Sequence, residues 1–439
     1  MAEIRPFRGV RYNTVLIKDL SRVICPPYDI ISPQLQQELY QRSEYNFVRV
    51  EYNQPLSQDR TTADKYARVA AIMEQWLKQG ILQADALPAI YLHDHYFHYQ
   101  GKEHKRRGII ACVRLEEWEK GVVRPHEGTL AAPRSDRINL LRALQANTSP
   151  ILAMFEDKGQ RISSLLASQA KNKPIISMSH VDGESHRLWA ITDQHTIAQI
   201  CADLVKQPIY IADGHHRYES ALFYKKERLA QPPAASEDEA FHFVMMTLVD
   251  FTDPGLMALP PHHLLCGIPE STLDGLRTKL ESLFAIKERP RDMPGIWQRV
   301  ENLFTETDEP GLVLFGLSGE RFLVLRLRDF ATASRMIPGV HSELYKKLDV
   351  SIVDHLILEK LLGFGNGGQI ALSYTYDRKD AVSRVLNQEC QLAFLLRPVK
   401  VSIIKAVADA GDRMPRKSTY FYPKAPAGLV FYSFTTLAE

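Results

Sequence analysis

No window of this chain stays apolar long enough to cross a bilayer, and the opening MAEIRPFRGVRYN lacks the apolar stretch of a secretory signal. A membrane protein is therefore not expected, and the sequence reads as cytoplasmic. Cysteine is scarce: Cys25, Cys112, Cys201, Cys266 and Cys390 are widely separated and form no CxxC pair. That spacing argues against a zinc ribbon or a disulfide framework, so core thiols are expected, with only Cys25 beside a feature of functional interest. An excess of charge is missing too. The net charge of +2 is spread without a long basic or acidic run, which leaves little attraction for nucleic acid or anionic membrane. No fixed-period repeat or low-complexity tract occurs.

What remains is an ordinary globular composition. With 439 residues, 45% of them hydrophobic, the chain can bury enough surface for two or three units. Tyr66, Val69, Ala70, Met73 and Leu77 recur at helical spacing and predict a helix over 61–79, with Gly80 as its stop. Strands are predicted at 90–99 and 108–116 around a Gln100-Gly101 turn, and again at 208–212 and 241–249. A helix is predicted over 218–229, starting close to His215. A polar stretch covers 156–173, followed by a loop at Asp182-Gly183, and 231–239 reads as a loop. Beyond Pro260, helices near 271–284, 350–362, 379–387 and 402–408 alternate with a hairpin at 312–317 and 322–327 and strands at 370–376 and 391–396. The expected fold class is α+β, divided as 1–155, 156–265 and 266–439, the first two packing as one catalytic region and the third forming an additional C-terminal α+β unit.

Four segments could carry chemistry. In IYIADGHHRYESALFY an apolar strand ends in Asp213, Gly214 permits a sharp turn, and a helix starts near His215. A helix start offers backbone N–H groups and a positive dipole end, which suit phosphate. Arg217 adds a guanidinium, His216 a hydrogen-bond or proton donor, and Asp213 a ligand for Mg²⁺. The plain alternative is an Asp-Gly turn that only caps the helix.

Pro26-Pro27-Tyr28-Asp29 fixes an extended backbone that aims Asp29, a candidate general base, or merely a turn whose Asp caps the next element. His126 and Glu127 of PHEGT, with Asp136 and Arg137 of SDR, are expected on loops or element ends, lining a pocket or forming a solvated ion-pair network. In MPRKSTYFYPK, Arg416, Lys417 and Lys424 are positive among Ser418, Thr419 and aromatic residues, as in a lid over phosphates or a basic surface loop. His93, His95 and His98 are expected to face solvent or pack locally.

These motifs, together with FRGVRYN at 7–13, identify the chain as resembling, over nearly its whole length, the family known as domain of unknown function 1015. More distantly, DGHHR after an apolar strand is similar to the phosphate-binding turn of the ParB and sulfiredoxin superfamily, and in particular of its free serine kinases. That resemblance implies a ParB/sulfiredoxin-like N-terminal and central region and a phosphotransferase making O-phospho-L-serine. It places the activating carboxylate on Asp29, and nucleotide phosphates and Mg²⁺ on Asp213, Gly214, His215, His216 and Arg217. The serine kinases usually carry Glu where Asp29 stands, and nothing in them matches the C-terminal unit. Within the closer family an Arg is expected after the His of LPxH, where this chain has His263 after His262.

The leading expectation is thus a kinase for free L-serine or a similar hydroxylated metabolite. Asp29, Asp213 and His216 are its catalytic residues, and Tyr28, His126, Glu127, Asp136, Arg137, Lys417, Ser418 and Thr419 line the substrate side. Mg²⁺ and a nucleotide donor, ATP or ADP, are its cofactors, no nucleic acid or membrane its partner, and its oligomeric state is open. A ParB-like nucleotide switch is the second expectation, although no basic helix-turn-helix accompanies the turn. A zinc hydrolase using His126, His215, His216 and either His262 or His263 is the third, weakened by the lack of HExxH-type spacing.

Overall fold

The Thr61 hydroxyl accepts a hydrogen bond from the backbone N–H of Asp64, and the Asp64 carboxylate accepts one from the backbone N–H of Thr61, closing a capping box at the start of helix α1 (Thr62–Lys78). The computed structural model describes residues 2–57, 59–129, 131–179, 183–231, 236, 239–305, 311–364 and 370–435. Most of the expected 231–239 loop, and Asp182, lie outside them. The chain forms two units: Met1–Pro125 with Thr129–Met257 and Phe421–Glu439, and His126–Gly128 with Ala258–Tyr420. Each contains helices and strands, a mixed α and β architecture as the composition of periodic segments predicts.

The first unit is built on a large mixed sheet. Strands β1 (Ile90–Tyr99) and β2 (Lys102–Arg114) form a hairpin through Gln100 and Gly101, both at positive φ. The strand β2 is longer than expected, because its polar start, Lys102 to Arg107, pairs with β1 and is carried by that partner. With β3 (Val123–Arg124), β4 (Ile151–Phe155), β5 (Ile176–Ser179), β6 (Ser185–Ile191), β7 (Ile209–Asp213) and β8 (Phe243–Asp250), the order across the sheet is β3-β7-β4-β8-β2-β1-β6-β5. The β4/β8 and β3/β7 pairs are parallel, and the other neighbours run antiparallel.

Two apolar clusters cover this unit, one around Tyr12, Phe47, Trp76 and Tyr91, the other around Ile109, Phe155, Ile211 and Tyr218. The C-terminal segment returns to this unit: Phe431–Ser433 pairs with Gly9–Tyr12 and with Ala146–Asn147. The polar stretch 156–173 contains a helix, Arg161–Gln169, whose buried Ile162 and Leu166 supply an apolar face too short to stand out in the sequence.

The second unit holds β9 (His262–Cys266), β10 (Phe284–Pro290), β11 (Gly311–Phe315), β12 (Arg321–Leu327), β13 (Ala371–Thr375) and β14 (Leu392–Leu395), ordered β10-β12-β11-β14-β9-β13 with antiparallel neighbours. Helices Glu270–Leu283, Arg378–Leu386 and Val401–Asp409 fall close to their expected spans, while 352–361 is wound as a π-helix. The expectation of separate core thiols is corrected at Cys266 and Cys390, which form a disulfide. They are 124 residues apart in sequence, and only the pairing of β9 with β14 makes them neighbours.

Candidate active site

The DGHHR turn forms as its residues dictate. The strand β7 bulges against β4 between Ile211 and Asp213, and Gly214 follows at φ +95°, a conformation in which a side chain is strained. Helix α2 (His215–Leu229) then begins with no side-chain cap from Gly214. A Cβ at Gly214 would also lie 2.9 Å from the Arg217 Nε. His215 is buried and His216 half-buried.

The Arg217 guanidinium folds back onto its own turn. Its Nη2 donates to Asp213 Oδ2 at 2.9 Å, and its Nη1 donates to Pro150 O at 2.6 Å and Ser149 Oγ at 3.2 Å. The other Asp213 oxygen accepts from Lys424 Nζ, which also lies 3.4 Å from Asp29 Oδ2. Burial alone would raise the Asp213 pKa, but the Lys424 and Arg217 cations hold it well below the usual carboxylate range. Asp29 itself sits in a single 3₁₀ turn, Tyr28–Ile30, set by Pro27.

Behind this set lies a second ion pair. Arg137 donates to Glu51 Oε1 at 3.2 Å and to Asp136 Oδ2 at 2.5 Å, and its guanidinium stacks 4.0 Å from the Tyr28 ring. Burial pushes the Tyr28 phenol up to about 12, opposed by Arg137 and Arg217. Glu51, fully buried, accepts from Thr148 Oγ1 at 2.7 Å and from Ser149 Oγ at 3.2 Å. Ser149 thereby links Glu51 to Arg217. Asp136 and Arg137 correct one expectation: they stand inside a helix, Ala131–Leu144, not on a loop. Packing decides this, because Asp136 accepts from Tyr66 at 2.5 Å and Arg137 reaches Glu51 from consecutive helical positions.

His126, Glu127, Ser418 and Thr419 come together in the second unit. His126 Nε2 is 2.9 Å from Thr419 Oγ1. Glu127 Oε1 accepts from the backbone N–H groups of Ser418 and Thr419, both at 3.1 Å, and from Thr419 Oγ1 at 3.0 Å. One carboxylate thus holds the loop that carries Lys417, which is exposed at φ +58°.

Sequence reasoning missed Glu51 and the site of Lys424 beside Asp213, because neither stands at a recognisable spacing from its partners. It left His93 and His95 between facing solvent and packing locally, and the structure decides for packing: both are buried on β1, beside His186 of β6. Arg106 Nη2 donates to His95 Nδ1 at 3.2 Å, and since guanidinium only donates, the opposite nitrogen, Nε2, carries the hydrogen directed at Glu184 Oε2, 2.7 Å away. Among the described residues, His95, Glu184 and His186 are the group close enough to hold a metal ion. None of them belongs to the expected zinc set, and the hydrogen on His95 Nε2 occupies the lone pair a metal would need. His262, of that set, instead accepts the Leu396 N–H at Nδ1, 3.1 Å away, and His263 Nδ1 lies 2.9 Å from Pro261 O.

The family described as "Protein of unknown function (DUF1015)" matches residues 4–351. The chain belongs to that family. No curated protein matches this DUF1015 sequence. Among solved structures, a conserved hypothetical protein from Pyrococcus furiosus is similar at 13% identity and a TM-score of 0.35, over 70% of this chain and 90% of its own. A free serine kinase in complex with AMP follows at 13% and 0.36, over 68% and 83%. SbnI with a C-terminal truncation, from Staphylococcus aureus, stands at 10% and 0.35, over 72% and 84%. Likeness at this level assigns no activity to the DUF1015 chain. Among its described residues no helix is long and apolar enough to cross a membrane.

For Mg²⁺, the donor set is Asp213 with Asp29: two carboxylates directed at one position suit a hard divalent ion. That position is held by the Lys424 ammonium, so the residues fit the ion once the lysine side chain swings aside.

Proposed function

We propose that this DUF1015 chain is a small-molecule kinase of the ParB/sulfiredoxin-like kind, phosphorylating free L-serine or a similar hydroxylated metabolite from ATP or ADP. The observation that carries this reading is the convergence of Asp29 and Asp213 on Lys424 beside the Gly214 turn and the start of α2. A helix start and an ammonium suit donor phosphates, and a second carboxylate suits a hydroxyl proton.

In this reading the first-turn amides of α2, with His215 and His216, hold the donor phosphates. Asp29 accepts the proton of the acceptor hydroxyl as its oxygen bonds to the transferred phosphorus. The bond from that phosphorus to the donor's bridging oxygen breaks, and its electron pair leaves with the nucleotide. Arg217, committed to Asp213, Ser149 and Pro150, keeps Asp213 oriented. Asp213, with Asp29 beside it, would hold Mg²⁺, which supplies charge neutralisation at the phosphates. Tyr28, Asp136 and Arg137 form the wall on the acceptor side.

The test is phosphorus NMR of the protein with Mg²⁺, L-serine and, in separate tubes, ATP or ADP. An O-phosphoserine signal with one donor, absent in Asp213→Asn, is expected. Unchanged phosphorus spectra in both tubes would overturn the serine kinase.

A further inference from the structure

We infer that Lys424 is a resident stand-in for the divalent ion: its ammonium occupies the position between Asp29 and Asp213, and a metal enters only as the lysine leaves. The inference rests on the reading of that carboxylate pair as the Mg²⁺ side of the site.

Three observations carry it. Lys424 has a side chain only 8% exposed, and its Nζ contacts Asp213 Oδ1 and lies 3.4 Å from Asp29 Oδ2. Two carboxylates so close need a positive charge between them, since their mutual repulsion in a partly buried setting is strong. Arg217 cannot take over that task, because its Nη1 and Nη2 are spent on Ser149, Pro150 and the far oxygen of Asp213.

The lysine is also delivered to this position by a dedicated brace. Arg106, 3% exposed, donates to the carbonyls of Pro423 at 2.9 Å and Tyr422 at 3.4 Å, the two residues before Lys424. Its third contact, His95, is itself held by Glu184. The backbone is therefore pinned, which leaves any exchange of partners to the four-carbon stem of the lysine. An ammonium on such a stem can exchange one set of oxygens for another, such as those of a phosphate, without moving the chain. Mg²⁺ then finds two carboxylates released together. In the absence of nucleotide the lysine and the ion compete for the same oxygens.

The experiment is a titration with Mn²⁺, followed by its electron paramagnetic resonance signal, on the full chain without nucleotide or serine. Wild type is expected to bind Mn²⁺ weakly. Lys424→Met should bind one Mn²⁺ at least tenfold more tightly, and Lys424→Met with Asp213→Asn should lose that gain. Lys424→Gln serves as the second variant should the Met form not fold, with the same expectation. Lys424→Arg, which keeps the charge, should stay as weak as wild type. Equal Mn²⁺ affinity in wild type and in the folded neutral variant overturns the inference. Because no phosphoryl transfer is measured, the kinase reading can fail in the phosphorus assay while this result stands, and the reverse.

Discussion

Arg106 Nη2 donates to the carbonyl of Pro423 at 2.9 Å, one residue before the lysine that sits between Asp29 and Asp213. A buried arginine of the first sheet thus fixes the backbone of a segment that arrives more than three hundred residues later in the chain. Burial lowers the Arg106 pKa to about 10, opposed by Asp253, Glu184 and Asp213, so the guanidinium remains charged at neutral pH and its contacts are charge-assisted.

Arg106→Met removes the donor to Pro423 O, Tyr422 O and His95 Nδ1 together. Leaving buried acceptors unsatisfied costs about 1–3 kcal/mol each, so a loss of several kcal/mol in urea-unfolding stability is expected. Amide hydrogen exchange should rise over 421–425 before the rest of the sheet is affected. Unchanged protection there would show that Arg106 does not hold the segment.

Gly214→Ala meets two obstacles at one position, the φ of +95° and the Arg217 guanidinium within about 3 Å of the new Cβ. Gly121, also at positive φ, has nothing within 4 Å of a Cβ, so Gly121→Ala reports backbone strain alone. Gly214→Ala is expected to lower stability by roughly 1–3 kcal/mol and by more than the Gly121 control. Equal melting temperatures for the two variants would mean that Arg217 yields freely.

Two buried histidines predict an acid-sensitive fold. Burial, with His95 and Arg106 nearby, lowers the His93 pKa to about 3, and burial, with Arg378 and His263 nearby, does the same to His262. The native state therefore binds fewer protons than the unfolded chain, in which histidine titrates near 6.5. Their contribution is fully present above pH 6.5 and is lost as pH falls from there toward 3, at roughly 1.4 kcal/mol per pH unit for each histidine. Asn at 262 can still accept the Leu396 N–H without taking up a proton. Urea midpoints measured between pH 7 and 4.5 should fall less steeply for His262→Asn than for wild type; parallel slopes would reject this assignment.

Much of the fold was readable because periodicity and punctuation are local. The run from Tyr66 to Leu77 specifies an amphipathic helix, and Gln100-Gly101 specifies a hairpin turn, whatever the rest of the chain does. The helix over 161–169 escaped notice because two buried residues in nine give too short a pattern, and Asp136 and Arg137 were misplaced because charged residues inside a helix look like a charged loop until their partners are known. The histidines of β1 stayed open between solvent and local packing for the same reason: an alternating strand has two faces, and nothing in residues 90–99 says which face His186, Glu184 and Arg106 will cover.

By itself the sequence determined the strand, glycine turn and helix that present Asp213, His215, His216 and Arg217, because backbone sterics at Gly214 and the start of a helix act within a few residues. It also marked Asp29, through the prolines that precede it. Only tertiary structure decided what these groups touch. Pairing of 431–433 with the N-terminal strand and the grip of Arg106 on 422–423 bring Lys424 to the two aspartates, and helix packing sets Arg137 against Glu51 and Tyr28. Such contacts depend on distances in space between residues far apart in sequence, and those distances follow from how the sheets close, a property of the whole chain and not of any segment.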